Sequence, residues 1–208
     1  MNNCHLLKLQ NQSTQPWTFF VYQAPISWNP GIASLVWIAS PLVVEVGMHA
    51  TLIWNDCIDF LWSTRSQSAK GMHFSGGGQC RVNPMVGNGV LFSQNRNAPG
   101  LSQQPESANS GALTIAVASN VPVNSYSVGT TMDGAGTMLA MANRGQTFDF
   151  TSDYWIAAAI DIEVGSIIDS ASVAAKLKIS FPVNVHSLSY CLNEQNQWCK
   201  MIAPTIAD

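Results

Sequence analysis

The sequence predicts an all-β fold, a β-sandwich built from two homologous halves with little helix. Apolar and polar residues alternate with period two, the spacing of strands with one buried and one wet face. Short apolar runs are separated by clusters of Gly, Asn, Asp and Pro, the punctuation of a sandwich or barrel. Leu7 to Gln23 (LKLQNQSTQPWTFFVYQ) is also echoed without a gap by Leu113 to Gly129 (LTIAVASNVPVNSYSVG), at the shift that carries Pro16 to Pro122. Two copies of one supersecondary unit, packed about a pseudo-two-fold axis, produce such an echo.

The elements follow in order. Within the echo Leu7 matches Leu113, Leu9 matches Ile115, Phe20 matches Tyr126 and Tyr22 matches Val128. Apolar, β-branched and aromatic runs place strands at Phe19 to Tyr22, Leu35 to Ile38, Leu52 to Trp54 and Val90 to Phe92. The echo continues from Ser34–Ala39 to Thr137–Ala142, from Gly47 to Gly145 and from Trp62 to Trp155, the two tryptophans read as paired core residues. Gly87-Asn88-Gly89 signals a hairpin between Met85-Val86 and Val90-Leu91, because Gly and Asn tolerate positive φ. Alternation places Phe148 and Phe150 inward on one strand, and Leu177, Ile179 and Phe181 inward on another. A last strand runs within Val183 to Leu192, and Asn193 to Asn196 turns the chain. Ser170 to Ala175, after Asp169, is the best helical candidate and is too short to matter.

These elements divide the chain into an N-terminal repeat at 6–95, a linker at 96–110, a C-terminal repeat at 111–200 and a tail at 201–208. The linker reads as such because Asn95 to Ser110 is rich in Asn, Gln, Ser and Pro and has no apolar period.

Composition narrows function. Hydrophobic residues make up 47% of the 208, enough for a sizeable core, whereas Asp, Glu, Lys and Arg make up only 10% against roughly 25% in an average domain. A neutral polar surface suits neutral ligands such as sugars and opposes self-association weakly. A net charge of −3 with scattered Lys and Arg argues against nucleic acid as a partner. The N-terminus does not read as a Sec signal and no apolar window reaches membrane-spanning length, so a cytoplasmic location, with non-classical release as an option, is expected. Five cysteines without CxxC spacing read as reduced thiols; Cys191 and Cys199 flank a turn-like segment, and a disulfide between them across a hairpin is the lesser alternative.

No motif demands chemistry, and the chain reads as a non-enzyme without cofactor or metal. His5, His49, His73 and His186 lack metal-ligand spacing. Cys80 with His73 is the one nucleophile–base pairing to weigh, beside a Ser75-Gly76-Gly77-Gly78 run that a tight turn explains equally. Asp161 and Glu163, two apart beside Asp169, form the one acidic cluster and read as a solvated strand end or a calcium site.

Seven tryptophans are the stronger candidates. Trp28 beside Asn29 lies in a loop longer than its counterpart and suits stacking on a sugar, insertion at a lipid interface, or anchoring of the loop. With Phe20 and Tyr22 taken as the core face, Trp17, Phe19 and Val21 point outward, where the second copy has Val123, Ser125 and Ser127. Such a face needs a cover: the other half, a second subunit or a ligand. Trp28, Asn29, Trp17 and Phe19 are therefore the candidate ligand-binding residues, and a weak homodimer through the N-terminal half is expected.

Several stretches also carry a family likeness. They are Asn11-Gln12-Ser13-Thr14-Gln15-Pro16-Trp17, Leu35-Val36-Trp37, Asn124 to Gly129, Met132 to Thr137, Tyr154-Trp155-Ile156, and Phe181 to Leu188 with Leu192 to Trp198. Across nearly the whole length the chain resembles the rhizosphere-induced RhiA proteins of bacteria and their fungal relatives. The resemblance implies a bacterial context governed by cell density and linked to host or community interaction. It brings no catalytic residues. Together these readings point to a recognition protein that binds a glycan-like ligand, or alternatively to a membrane-active toxin.

Overall fold

The computed structural model describes residues 4–24, 31–64, 77–81, 88–96, 98–104, 112–149, 153–168, 173 and 175–201. Among them are seventeen strands and no helix. The first nine are β1 (Cys4–Asn11), β2 (Thr18–Tyr22), β3 (Ile32–Ser34), β4 (Ile38–Ala39), β5 (His49–Asn55), β6 (Ile58–Ser63), β7 (Gly78–Arg81), β8 (Gly89–Asn95) and β9 (Ala98–Gln104). The rest are β10 (Ala112–Val117), β11 (Ser127–Met132), β12 (Ala135–Met141), β13 (Gln146–Asp149), β14 (Asp153–Ala159), β15 (Ala175–Ser180), β16 (Ser187–Leu192) and β17 (Trp198–Lys200). They form four sheets, ordered β17-β16-β1-β5, β15-β14-β2-β4, β3-β12-β11-β6-β7 and β13-β10-β8-β9.

Period two decides which faces are wet. In β1, His5, Leu7, Leu9 and Asn11 are buried while Cys4 and Lys8 are exposed. β5 buries Ala50, Leu52 and Trp54 and exposes His49, Thr51 and Ile53. β2 is different: all five residues are buried, because Phe19 and Val21 enter the main core while Phe20 and Tyr22 enter a second cluster with Val36, Ala157 and Ala159. The chain turns sharply at Asp133-Gly134 between β11 and β12, both at positive φ (50° and 85°), as a two-residue hairpin of this twist requires.

The sheets interleave the two ends of the chain. β1 lies between β16 (parallel) and β5 (antiparallel), and β10 lies between β8 (parallel) and β13 (antiparallel). Likewise β2 lies between β14 and β4, and β11 between β6 and β12. Substituting β10 to β17, in order, for β1, β2 and β4 to β9 carries each neighbour relation into its counterpart. β3, at the edge beside β12, has no counterpart.

The residue register of the echo is another matter. Leu7, Leu9, Leu113 and Ile115 all enter the main core, but Tyr22 lies in the second cluster while its sequence match Val128 lies in the main core. Trp62 packs on Phe92 and Tyr126, whereas Trp155 stacks on Tyr22 in the other cluster. The gapless match thus puts opposite faces together beyond Pro16.

One local expectation changes, and two others fall wholly or mostly on residues outside those described. Residues 98–104, assigned to the linker, form β9; as an edge strand it accepts Pro99 and needs little apolar surface, so it shows no alternation. Met85, Val86 and Gly87 of the expected hairpin lie outside the described residues, and β8 pairs with β9 and β10. The segment read as a short helix falls mostly outside the described residues, and Ala175 begins β15.

Candidate functional site

The site is built from the turn after β1. Asn11 ends that strand fully buried, and its amide does the work of several backbone groups. Its Nδ2 donates to the carbonyls of Gln15 (2.9 Å) and Val44 (2.8 Å), while its Oδ1 accepts from Ser13 N (3.0 Å) and Ser13 Oγ (2.7 Å). The Ser13 hydroxyl in turn accepts from Trp17 Nε1 at 2.9 Å. Trp17 and Val44 exchange backbone hydrogen bonds of 3.2 and 2.8 Å, which holds the 40–48 loop against the indole. On the other side β14 ends at Ala159 opposite Thr18, so Ile160 and Asp161 arrive beside Trp17.

The result is an open cleft of about 230 Å³ lined by Gln15, Pro16, Trp17, Thr18, Val43, Ile160 and Asp161. Pro16, Trp17, Val43 and Ile160 make its walls apolar; Asp161, exposed and at φ 52°, supplies a carboxylate at the rim. Leu42 (79% exposed), Met48 (61%), Val43 and Val46 present further apolar surface from the 40–48 loop.

Because Asn11 satisfies polar groups that would otherwise be buried and unpaired, Asn11→Ala is expected to cost about 2–3 kcal/mol of stability. Urea denaturation checks this. Exposed Gln12→Ala, next door, should stay within about 0.5 kcal/mol.

A second polar group lies under β1. Buried His5 Nε2 sits 2.8 Å from Asp56 Oδ2, and the Tyr154 hydroxyl donates to Asp56 Oδ1 at 2.9 Å. The rings of Trp54 and Phe181 close over the imidazole, with centroids at 5.5 and 4.3 Å. Burial, then the Asp56 carboxylate, holds the Tyr154 phenol above its ordinary pKa. This group ties β1, β14 and the β5–β6 connection together.

The structure places some of the residues singled out in the sequence and not others. Trp28 and Asn29 lie outside the described residues. Trp17 lines the cleft, but as a wall anchored by its own N–H. Phe19 is wholly buried with its ring edge-on to Trp198 at 5.1 Å, so it is core and cannot touch a ligand. The face of Trp17, Phe19 and Val21, for which the other half, a second subunit or a ligand is the expected cover, lies in the main core, to which residues of both halves contribute. It was misread because a strand buried on both faces gives no outward side to choose. Asp161 and Glu163 belong to a turn after β14 and not to a strand; Asp169 lies outside the described residues, among which no three His, Cys, Asp or Glu are placed to hold a metal. His73 also lies outside them. Burial, then Asp59, raises the pKa of the Cys80 thiol, the opposite of an activated nucleophile. Gly77 and Gly78 lie against the Trp62 ring, where a Cβ on Gly77 would come within 2.8 Å of it. The glycine run is thus explained there by packing. Asp161, Ile160 and Val43 were missed as a set because only the fold brings them to Gln15-Pro16-Trp17.

Comparison with known proteins adds the lineage. Protein RhiA of Rhizobium leguminosarum bv. viciae is 37% identical to this chain over 194 residues, covering 92% of this chain and 84% of that protein. No solved structure matches. The RhiA family model matches residues 2–202, nearly the whole length. With the quoted stretches distributed through its strands and turns, the chain belongs to the RhiA family.

Proposed function

We propose that this chain is a non-enzymatic recognition protein of host or community interaction, binding a neutral polar ligand of the sugar class in the cleft beside Trp17. One observation carries the reading: apolar walls from Pro16, Trp17, Val43 and Ile160 stand beside the polar groups of Gln15, Thr18 and Asp161. A sugar ring has the same division, with C–H faces for the walls and hydroxyls to donate to a carboxylate. The sparse charge of the chain fits a ligand without charge. Five free cysteines fit synthesis in a reducing compartment, followed by non-classical release.

A glycan array followed by calorimetry tests the reading. Wild-type protein should bind a neutral glycan saturably, and Asp161→Ala should weaken binding at least about tenfold, or ~1.4 kcal/mol, without loss of stability. Absence of saturable binding to any neutral glycan sinks the proposal.

A second reading, action on lipid bilayers, is favoured by the exposed Leu42, Val43, Val46 and Met48 next to the cleft, with Ile160 on its far side. No helix among the described residues is long and apolar enough to cross a membrane, so this action would proceed from the rim. It requires liposome leakage that Leu42→Ser and Met48→Ser abolish, an outcome sugar binding does not produce.

A further inference from the structure

Cys191 and Cys199 face each other directly across the β16–β17 hairpin, and both are free thiols. Backbone hydrogen bonds from Asn193 N to Gln197 O (2.9 Å) and from Met201 N to Ser189 O (2.8 Å) bracket them. The cysteines therefore occupy a hydrogen-bonded position of the ladder, where directly opposed residues share one face with Cα atoms about 5.5 Å apart. That separation lies within the range a disulfide spans. The other strand cysteines have no such partner: Cys4 faces Asn55 and Cys80 faces Phe60.

We propose that Cys191 and Cys199 form a reversible dithiol–disulfide site, closed by exchange with a low-molecular-weight disulfide and reopened by the corresponding thiol. Cys199 is exposed on the edge strand and attacks first: its thiolate bonds one sulfur of the small disulfide and expels one thiolate. Cys191 then gives up its proton and attacks the Cys199 sulfur, expelling the second. Two protein thiols lose two electrons and two protons, and the small disulfide is reduced to two thiols. The order follows from the surroundings, since burial and then the neighbouring Cys199 keep the Cys191 thiol above its ordinary pKa, leaving it protonated until the mixed disulfide is at hand. Hydrogen-bonded pairs hold their Cβ atoms wider apart than a relaxed disulfide does, so the bond formed is strained and readily reduced. Closure pins Trp198, the residue before Cys199, whose indole packs edge-on to Phe19.

The test uses the full chain under native conditions with glutathione disulfide, followed by alkylation, digestion and mass spectrometry. The expected result is loss of two of the five thiols, a peptide linked through Cys191 and Cys199, and full recovery with dithiothreitol. Cys191→Ser should instead retain glutathione on Cys199. A Cys4→Ser, Cys57→Ser, Cys80→Ser variant should still close the link, which keeps the site testable if the single variant misfolds. A wild-type chain that keeps all five thiols, stops at the glutathione adduct, or joins a different pair overturns the proposal.

Discussion

Trp37→Ala is expected to remove about 4–5 kcal/mol of stability, the upper part of the range for deleting a buried aromatic. Trp37 is 2% exposed and its ring lies against those of Trp54 and Tyr154, with centroids at 5.2 and 5.7 Å. Its Nε1 donates to the carbonyl of Met132 at 2.7 Å, a bond linking the 35–37 segment to the end of β11. Alanine leaves both a cavity and an unpaired buried carbonyl, and the two losses add. A domain of this kind holds only about 5–15 kcal/mol in total. Urea denaturation of Trp37→Ala and Trp37→Phe measures the effect; phenylalanine should restore part of it by filling the cavity without the hydrogen bond. A loss below about 2 kcal/mol for alanine would show that Trp37 is not packed as described.

Gly129→Ala should cost about 3 kcal/mol or more. Gly129 pairs with Leu139 on one side and Leu61 on the other, in the middle of the five-stranded sheet. A Cβ there would collide with the carbonyl oxygen of Met138 and approach Leu139 Cα at 3.2 Å. Both obstacles are backbone, which cannot swing aside as a side chain would. The ladder next to it already carries a register shift between Thr130 and Thr131, so β11 and β12 must part further to make room. Gly100, on edge strand β9, is the control, because nothing lies within 4 Å of its added Cβ. Gly100→Ala should leave the denaturation midpoint nearly unchanged, and equal effects at the two glycines would contradict the close approach.

Much of this architecture was legible in the sequence, where one face of a strand is wet. β13 and β15 follow from alternation, and β16 falls within the run from Val183 to Leu192. Strands without a wet face gave no such signal. β2 is buried throughout and its run from Phe19 to Tyr22 has no polar residue, so period two cannot say which cover lies on which side, and it places Phe19 outward. β9 is concealed for the reverse reason, since an edge strand containing Pro99 buries too little to alternate. Trp17, placed outward by its sequence, is buried together with Trp37 and Trp54. The cleft was only partly legible. Asn11, Ser13 and Trp17 stand close in sequence, and their hydrogen bonds are local, but Val43 and Ile160-Asp161 reach them only through the pairing of β2 with β14 and the bridge from Trp17 to Val44. His5, Asp56 and Tyr154 likewise meet from three distant stretches, with no spacing to betray them.

Proton–nitrogen correlation spectra of the isotope-labelled chain, titrated with a neutral oligosaccharide bound on the array, would locate the binding surface residue by residue. Recognition in the cleft predicts saturable shifts at the Trp17 indole N–H and at the amides of Gln15, Thr18, Val43, Ile160 and Asp161, all lost in Asp161→Ala. Shifts that saturate while these signals stay fixed, for example shifts confined to Trp28 and Asn29, would contradict it.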